Sequence, residues 1–356
     1  MSRKLTTILV TGGAGFIGSN FIHFMFSNES NFNGKIMVKV RKVDGDVSLS
    51  VTDNGVGMSL ETISHSLLNF GSSFWHDDSV NIEFPGLKTA GFKSVGQYGI
   101  GFFSAFMIAK SIVIETRKYT DGLKDAHLVK FPSGLTLAPI FAKHTSQSTS
   151  YSTHISLLLD DKHCEWPTEY EAKRNLMHST NFNVPFSAML GALVSGLDVD
   201  VYYQEFDAAP KLMHQRLDSR SLDKKAWLRT LSLADYQNDK ALDDYIEKNH
   251  NRLQYIYDDN GNIAGLAAIG TRFNPYQDFL GGSTVGGLLT GLHFRAGEYW
   301  IGILEVFPDG AKRNGGMYKA SEQTIRTWVD EQVNLLEEGV MCQAQLLFRL
   351  KGLCNG

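Results

Sequence analysis

The amino-acid sequence predicts an α/β protein (of the α+β type) with more than one domain. Three patterns support this fold class. A strand-like stretch leads through glycines into a helix-like stretch at 5–28, alternating apolar residues predict a hairpin at 36–51, and apolar residues at helical spacing predict a helix over 321–336. With 356 residues, of which 43% are hydrophobic, the chain can bury the cores of two domains.

Charge and cysteine content narrow the function classes. The net charge of -4 does not favour a nucleic acid or an anionic membrane surface as partner. Three widely spaced cysteines, without a CxxC pair, argue against a zinc ribbon and suit reduced thiols in a cytoplasm. No apolar run approaches the length of about 20 residues that a transmembrane helix needs. We therefore expect a cytoplasmic protein that has neither nucleic acid nor membrane as partner.

The first element is a strand followed by a glycine turn. Residues 5–10 are apolar and β-branched, Gly12, Gly15 and Gly18 follow, and a helix is predicted from Phe16. Small residues at a helix N-terminus let a pyrophosphate approach free N–H groups. The wording "ILVTGGAGFIGSNF" resembles the start of extended short-chain dehydrogenases, especially dTDP-glucose 4,6-dehydratases. This resemblance covers about the first 35 residues and implies an NAD-dependent enzyme.

The rest of the chain departs from that dinucleotide pattern. The position about 20 residues on, where an acidic residue would hold the ribose, carries Lys39, Arg41 and Lys42. The Tyr-x-x-x-Lys pattern of the dehydratases occurs at Tyr236 and Lys240, within a polar stretch that reads as a solvated helix face. An NAD-dependent sugar-nucleotide dehydratase is therefore kept as an alternative function.

A second nucleotide pattern begins with the predicted hairpin. Residues 36–40 and 47–51 alternate around an Asp44-Gly45 turn, and the second strand ends in "DNGVGM", from Asp53 to Met58. A carboxylate at a strand end, beside backbone free of side chains, can accept a hydrogen bond from the amine of adenine. The same letters also form ordinary turns, so this motif alone leaves both interpretations open.

Another glycine group follows about forty residues later. Gly96, Gly99 and Gly101 precede an apolar stretch from Phe102 that predicts a helix to Ala109, and a strand is predicted over 111–116. Glycines before a helix start again suit phosphate groups.

Together, "DNGVGMS" and "GQYGIGFFSAFMIA" resemble the GHKL ATPases, and most closely their heat-shock chaperone branch of the HtpG type. The resemblance implies a two-layer α/β sandwich, ATP and Mg²⁺ as cofactors, and a lid around "LLNFGSSFW" that closes on nucleotide. It also implies an Asp that binds the adenine amine and glycines that make room for base and phosphates. The implied nucleotide-binding residues are Asp53, Gly55, Gly57, Met58, Gly96, Gly99, Gly101 and Phe102.

A third motif of the family is a Gly-Thr pair before a strand. Here Ser152-Thr153 precedes a predicted strand over 155–159, with serine in place of glycine. The resemblance implies that Thr153 holds adenine through water. The alternative is an edge strand that carries a surface threonine.

The family's Glu-x-x-x-Asn helix matches only in part. Asn28 stands at the separation from Asp53 that small family members have, and would bind Mg²⁺, but Phe24 occupies the place of the general-base Glu. Either a dehydratase-like opening has replaced the original first segment, giving a chimeric chain, or the site has diverged. In both cases we expect weak or absent ATP hydrolysis. A simple helix C-cap is an equal alternative for Asn28.

The second half of the chain is predicted to contain a strand at 199–204, a helical region at 222–251 and a hairpin with an Asn260-Gly261 turn, in which Asp258 is interpreted as a turn residue. The sequence predicts three segments: an opening at 1–34, an ATP-binding domain at 35–165 and a second α/β region at 166–356. The last resembles, weakly, the middle domain of chaperone-like GHKL proteins, in which a basic residue touches the terminal phosphate; Lys312 and Arg313 are candidates, although a solvated loop is favoured. The resemblance further implies a protein client and is compatible with an oligomer. A non-catalytic binding module is a further alternative.

Overall fold

The structure is a computed structural model that describes residues 33–69, 102–146, 149–160, 169–173, 181–270, 280–292, 300–308 and 316–336. The chain divides into two compact units. Unit 1 comprises Met1–Pro167 with Asp198–Gln215, and unit 2 comprises Thr168–Leu197 with Arg216–Gly356. Both contain mixed sheets and helices, which confirms the predicted α/β class. The domain boundaries after residues 34 and 165 stay predictions.

Unit 1 is built on an eight-stranded sheet with the order β10-β9-β1-β2-β6-β3-β4-β5. All neighbours are antiparallel except β1 and β9, which are parallel. The strands are β1 (Lys35–Val43), β2 (Asp46–Asp53), β3 (Ala109–Thr116), β4 (Ala126–Phe131), β5 (Ile140–His144), β6 (Thr153–Leu159), β9 (Asp200–Glu205) and β10 (Lys211–His214). A separate pair, β7 (Tyr170–Lys173) and β8 (Asn181–Val184), belongs to unit 2.

The predicted hairpin forms as β1 and β2. Its turn residues Asp44 and Gly45 both have positive φ, at 52° and 90°, as the two-residue turn of a twisted hairpin requires. Strand pairing places Val38 opposite Val51 and Ile36 opposite Asp53. The register therefore brings the end of β2, where the candidate nucleotide residues begin, level with the start of β1.

One face of this sheet is apolar and the other polar. An apolar row runs across five strands through Val38, Val51, Ile155, Ile114 and Val129, each directly opposite the next, and all of them except the half-buried Val51 are buried. Residues one position along, such as Thr52, His154 and Glu115, lie on the opposite face. This alternation is typical of an antiparallel sheet that buries only one face.

The short helix before β3 differs from the prediction. An α-helix was expected from Phe102 to Ala109, whereas a 3₁₀ helix spans Phe102–Met107 and β3 begins at Ala109. The rings of Phe102 and Phe106 lie 5.8 and 5.0 Å from that of Phe131 on β4. These aromatic contacts anchor the helix on the apolar face, while α1 (Leu60–Thr62) continues as a π-helical segment, Ile63–Leu67.

Unit 2 contains a second mixed sheet with the order β11-β12-β15-β13-β14, with β16 beside β15. Its strands are β11 (Gln254–Tyr257), β12 (Ile263–Ile269), β13 (Gly281–Val285), β14 (Leu288–Leu292), β15 (Trp300–Pro308) and β16 (Gly316–Tyr318). Its helices are α2 (Phe186–Leu193), α3 (Lys224–Ser232), α4 (Lys240–Asn249) and α5 (Glu322–Asn334). The predicted hairpin around Asn260-Gly261 is confirmed as β11 and β12.

The helical region predicted over 222–251 is two helices. Asp223 and Asp239 cap α3 and α4, each accepting two backbone N–H bonds. Between them Leu233 adopts the left-handed conformation, with φ at 54°, which ends α3. Leucine carries no local sign of a helix end, and this explains why the sequence reads as one continuous helical stretch.

A buried glutamine ties α5 to the sheet of unit 2. Gln332 is 0% exposed. Its Oε1 accepts the Ile269 N–H at 3.0 Å, and its Nε2 donates to the Arg252 carbonyl and to Gln254 Oε1 at 2.8 and 2.6 Å. The helical pattern predicted the apolar neighbours Trp328 and Val329, but not this polar contact in their midst.

We expect Gln332→Met to destabilise unit 2 by about 1–3 kcal/mol, because the buried Ile269 N–H and Arg252 carbonyl would lose their partner. Methionine keeps the length and apolar stem of the side chain. Gln323→Met, on an exposed position of the same helix, serves as the control. Urea unfolding followed by Trp fluorescence measures both variants, and equal stabilities for the two would contradict this role.

Among the described residues, no helix has the length and hydropathy needed to cross a membrane.

Candidate functional site

Asp53 is the last residue of β2 and is only 5% exposed. Its Oδ1 accepts the Gly55 N–H at 2.9 Å, which fixes the start of the following loop. In the part of the chain that the structure describes, that amide is the only hydrogen-bond donor to the Asp53 carboxylate. Within these described residues, Oδ2 is therefore an acceptor without a protein donor, at the end of a buried strand.

Burial controls the ionisation of Asp53. Desolvation raises the pKa of its carboxyl group from 3.8 to about 7, and the Gly55 hydrogen bond opposes this shift only in part. Near neutral pH the group is thus close to its midpoint. A ligand group that donates a hydrogen bond to Oδ2 would favour the charged form.

The loop after Asp53 is held by the end of β3 and the residues that follow it. The Met58 N–H donates to Thr116 Oγ1 at 3.0 Å, and the Tyr119 N–H donates to the Val56 carbonyl at 2.8 Å. Met58 itself is buried. These bonds fix the loop from both sides of Gly57.

Gly57 has a structural reason to be glycine. Its φ is +64°, and a Cβ there would stand 1.8 Å from the Arg117 carbonyl oxygen and 3.1 Å from the Lys118 nitrogen. The resemblance assigns Gly57 to the approach of the purine. The close backbone contact with Arg117 is by itself sufficient to require glycine at this position.

Thr153 lies directly opposite Asp53 on β6, and Thr116 on β3 lies directly opposite Thr153. The three side chains therefore share one face of the sheet. Thr116 Oγ1 and Thr153 Oγ1 are 3.1 Å apart and are 0% and 5% exposed as residues. Because β6 lies between β2 and β3, the alternative of an edge strand with a surface threonine is wrong.

The other predicted residues divide into two groups. Phe102 is described: it is buried in the aromatic cluster with Phe106 and Phe131. Gly55 is buried beside Asp53. The proposed phosphate and metal residues and the two basic candidates lie outside the described residues: Asn28, Gly96, Gly99, Gly101, Lys312 and Arg313.

Sequence reasoning missed the contribution of β3. The loop after Asp53 contacts the hydroxyl of Thr116, the backbone carbonyl of Arg117 and the backbone N–H of Tyr119. The spacing between Thr116 and Met58 gives no sign of their contact. Only the register of β2, β6 and β3, strands far apart in sequence, brings them together.

Two further sequence features have structural explanations in unit 2. Tyr236 and Lys240 are both exposed, as the solvated-helix interpretation predicts. Asp258 Oδ1 accepts the Asn260 and Asn262 amides at 3.0 and 2.8 Å, and Gly261 has φ at +81°. These contacts are turn chemistry.

Comparisons with known proteins bear on unit 1. Residues 30–131 match the profile of a family described as histidine kinase-, DNA gyrase B-, and HSP90-like ATPase. The chaperone protein HtpG of Methylococcus capsulatus is 32% identical over 94 residues, which are 26% of this chain and 14% of that protein. That of Alkalilimnicola ehrlichii is 27% identical over 164 residues, 44% of this chain and 24% of that protein.

The matches to these two relatives thus span a quarter of their length or less. Asp53 and its loop lie inside residues 30–131, which match the family profile, and Thr153 lies beyond that range. Neither the dehydratase resemblance of residues 1–34 nor its dinucleotide role receives support from these matches. In its ATPase-like stretch, residues 30–131, the chain is similar to the GHKL family of ATP-binding domains.

Proposed function

We propose that the chain binds ATP, with the adenine amine donating to Asp53. One observation carries this proposal: within the ATPase-like stretch, a carboxylate that is 5% exposed keeps Oδ2 without a donor among the described residues. A largely buried carboxylate is stabilised by each hydrogen bond that it accepts. An exocyclic amine supplies the missing donor, so the Asp53 environment fits an adenine base.

The neighbouring groups support the same orientation. The Thr153 side chain, with its hydroxyl, lies beside Asp53 on the same face of the sheet. Met58, in the loop that follows Asp53, is buried. We further propose that Gly55 and Gly57 shape the loop against the base, that Gly96, Gly99 and Gly101 contact the phosphates, and that Phe102 lines the pocket. For these phosphate contacts the support is the sequence resemblance alone.

Mg²⁺ would be held by Asn28 and the phosphate oxygens, and when bound it would neutralise phosphate charge. The motif has Phe24 where a general base would stand, so we propose that hydrolysis is weak or absent. Closure of a lid on nucleotide stays a prediction.

The relatives that match are named as chaperones. We propose, on that similarity, a chaperone-like ATP-binding protein in the cytoplasm that acts on a protein client, and that can form an oligomer. The similarity covers only part of each relative, so this step is separate from nucleotide binding.

Isothermal titration of the full chain with ATP, ADP and NAD tests the proposed function. We expect ATP and ADP to bind and NAD not to bind. All three carry the adenine amine, so the difference must come from the rest of the ligand: the resemblance implies glycines for the ATP phosphates, whereas the acidic ribose partner of the dinucleotide pattern is missing. Binding of NAD without ATP would instead support the dehydratase alternative. Binding of none of the three would support a module that holds a partner without nucleotide.

A further inference from the structure

The direction of the hydrogen bond between Thr116 and Thr153 can be deduced from burial. Thr116 Oγ1 already accepts the Met58 N–H at 3.0 Å. The residue is 0% exposed, so its own hydroxyl proton needs a protein acceptor. Within the described part of the chain, Thr153 Oγ1, at 3.1 Å, is the only acceptor in reach. Thr116 therefore donates and Thr153 accepts.

This direction leaves the Thr153 proton available. A hydroxyl has one donor and two acceptor sites, and Thr153 uses one acceptor site for Thr116. In the described residues, Thr153 Oγ1 has no other hydrogen-bond partner. That proton is free to meet a ligand, and Thr153 shares its sheet face with Asp53, whose Oδ2 accepts from no donor among the described residues. Sheet register thus sets a hydroxyl donor beside the carboxylate of Asp53, which in its ionised form can only accept.

We propose that Thr116 is a positioning residue that holds the Thr153 hydroxyl as a donor beside the Asp53 carboxylate, so that the site selects adenine over a 6-oxopurine. This inference rests on the proposed function. Adenine carries an amine donor next to the N1 acceptor. These two groups complement the Asp53 acceptor and the Thr153 donor. Hypoxanthine offers a carbonyl oxygen next to an N1–H, and so places acceptor against acceptor and donor against donor.

The alternative direction predicts the opposite selectivity at Thr153. If Thr153 donated to Thr116, its remaining capacity toward a ligand would be that of an acceptor, which tolerates an N1–H. The Thr116 proton would then be buried without a partner. The hydroxyl of Thr116 thus determines the polarity of a residue that the base approaches, without contacting the base itself.

Titration calorimetry of the full chain with ATP and with inosine triphosphate tests the inference. The two ligands carry the same phosphates and ribose, so the ratio of their affinities isolates the base. We expect the wild-type protein to prefer ATP by at least about 10-fold. Thr116→Val keeps the shape and removes the hydroxyl, and it should lower that ratio by at least about 3-fold, while Asp53 still opposes the carbonyl oxygen of the 6-oxopurine. Thr116→Ser should retain the wild-type ratio.

A double-variant cycle distinguishes positioning from a general effect on structure. Thr153→Val should lower the ratio by itself, and Thr116→Val should then change it no further if Thr116 acts through Thr153. Thr284→Val is the matched control, because Thr284 is a buried threonine of unit 2 whose hydroxyl donates to Glu305. That variant should keep the wild-type ratio even if it lowers the melting temperature.

Each outcome bears on a separate claim. If wild-type protein binds no ATP, the proposed function fails and this inference fails with it. If Thr116→Val binds ATP and keeps the wild-type ratio, the inference alone is overturned. Should the valine variant not fold, Thr116→Cys supplies the test, because a thiol is a weak donor and must also lower the ratio.

Discussion

Asp53→Asn is expected to lower ATP affinity by about 100-fold or more. The Gly55 N–H needs an acceptor in the place of Asp53 Oδ1. In the asparagine side chain only the amide oxygen can accept, so that oxygen must take the Oδ1 position. The Nδ2 donor then replaces Oδ2 and faces the adenine amine, which is also a donor. Titration calorimetry with ATP at pH 8 measures this effect.

The same substitution is expected to stabilise the unliganded protein. Because the pKa of Asp53 is about 7 in the folded state and its ordinary value is 3.8, the folded form binds more protons between these values, and wild-type stability falls as pH rises through them. Asparagine lacks this penalty. The stability difference should grow from pH 4 to 7 and then level off, at no more than about 4 kcal/mol for this shift.

Melting temperatures of both proteins across pH 4 to 8 test this stabilisation. Asp44→Asn is the control, because Asp44 is exposed in the turn of the same hairpin and asparagine tolerates its positive φ. It should change neither ATP affinity nor the pH profile. A pH-independent difference between wild type and Asp53→Asn would show that burial does not shift the Asp53 pKa.

Gly57→Ala carries the second large expected effect. The added Cβ would stand 1.8 Å from the Arg117 carbonyl oxygen, and the φ of +64° is itself unfavourable for alanine. Because the Arg117 carbonyl oxygen belongs to the main chain and a Cβ has no rotamer by which to avoid it, the loop must move. We expect a loss of at least about 3 kcal/mol in the stability of unit 1 and at least about a 10-fold loss in ATP affinity.

Gly45→Ala distinguishes the cost of a positive φ from the cost of the clash with Arg117. Gly45 also has a positive φ, +90°, but nothing lies within 4 Å of a Cβ built there. Its stability cost should be about 1 kcal/mol, from backbone conformation alone, and ATP affinity should not change. Chemical unfolding and ATP titration of both variants measure the comparison. Equal costs for the two would mean that the Arg117 contact does not constrain the loop.

Local patterns were sufficient to predict much of the fold. Alternation and turn residues located β1, β2, β11 and β12, and helical spacing located α5. The break at Leu233 and the 3₁₀ geometry of 102–107 were not predictable, because tertiary packing overrides weak local preference there. The parallel pairing of β9 with β1 was not predicted either. The sequence assigned the β9 strand to the second α/β region, and nothing in its residues identifies a partner so distant in sequence.

For the candidate site, the sequence identified the carboxylate and the glycines that would meet a ligand. It did not identify the residues that hold them in place. Asp53 stands out because a carboxylate followed by glycines ends an apolar strand. Thr116 does not, because threonine inside a strand is ordinary. Its importance comes from register: Met58, Thr153 and Thr116 meet only once β2, β6 and β3 are aligned.

The parallel pairing of β9 with β1 determines how this protein can be cut into fragments. A fragment that ends at residue 165 would lack β9 and β10 and would leave the backbone of β1 unpaired at residues 35–40, which favours aggregation. During synthesis, too, the first sheet cannot be completed until residue 214 has left the ribosome, after part of unit 2 has already emerged. An expression fragment meant to hold the nucleotide site therefore needs the chain through Gln215.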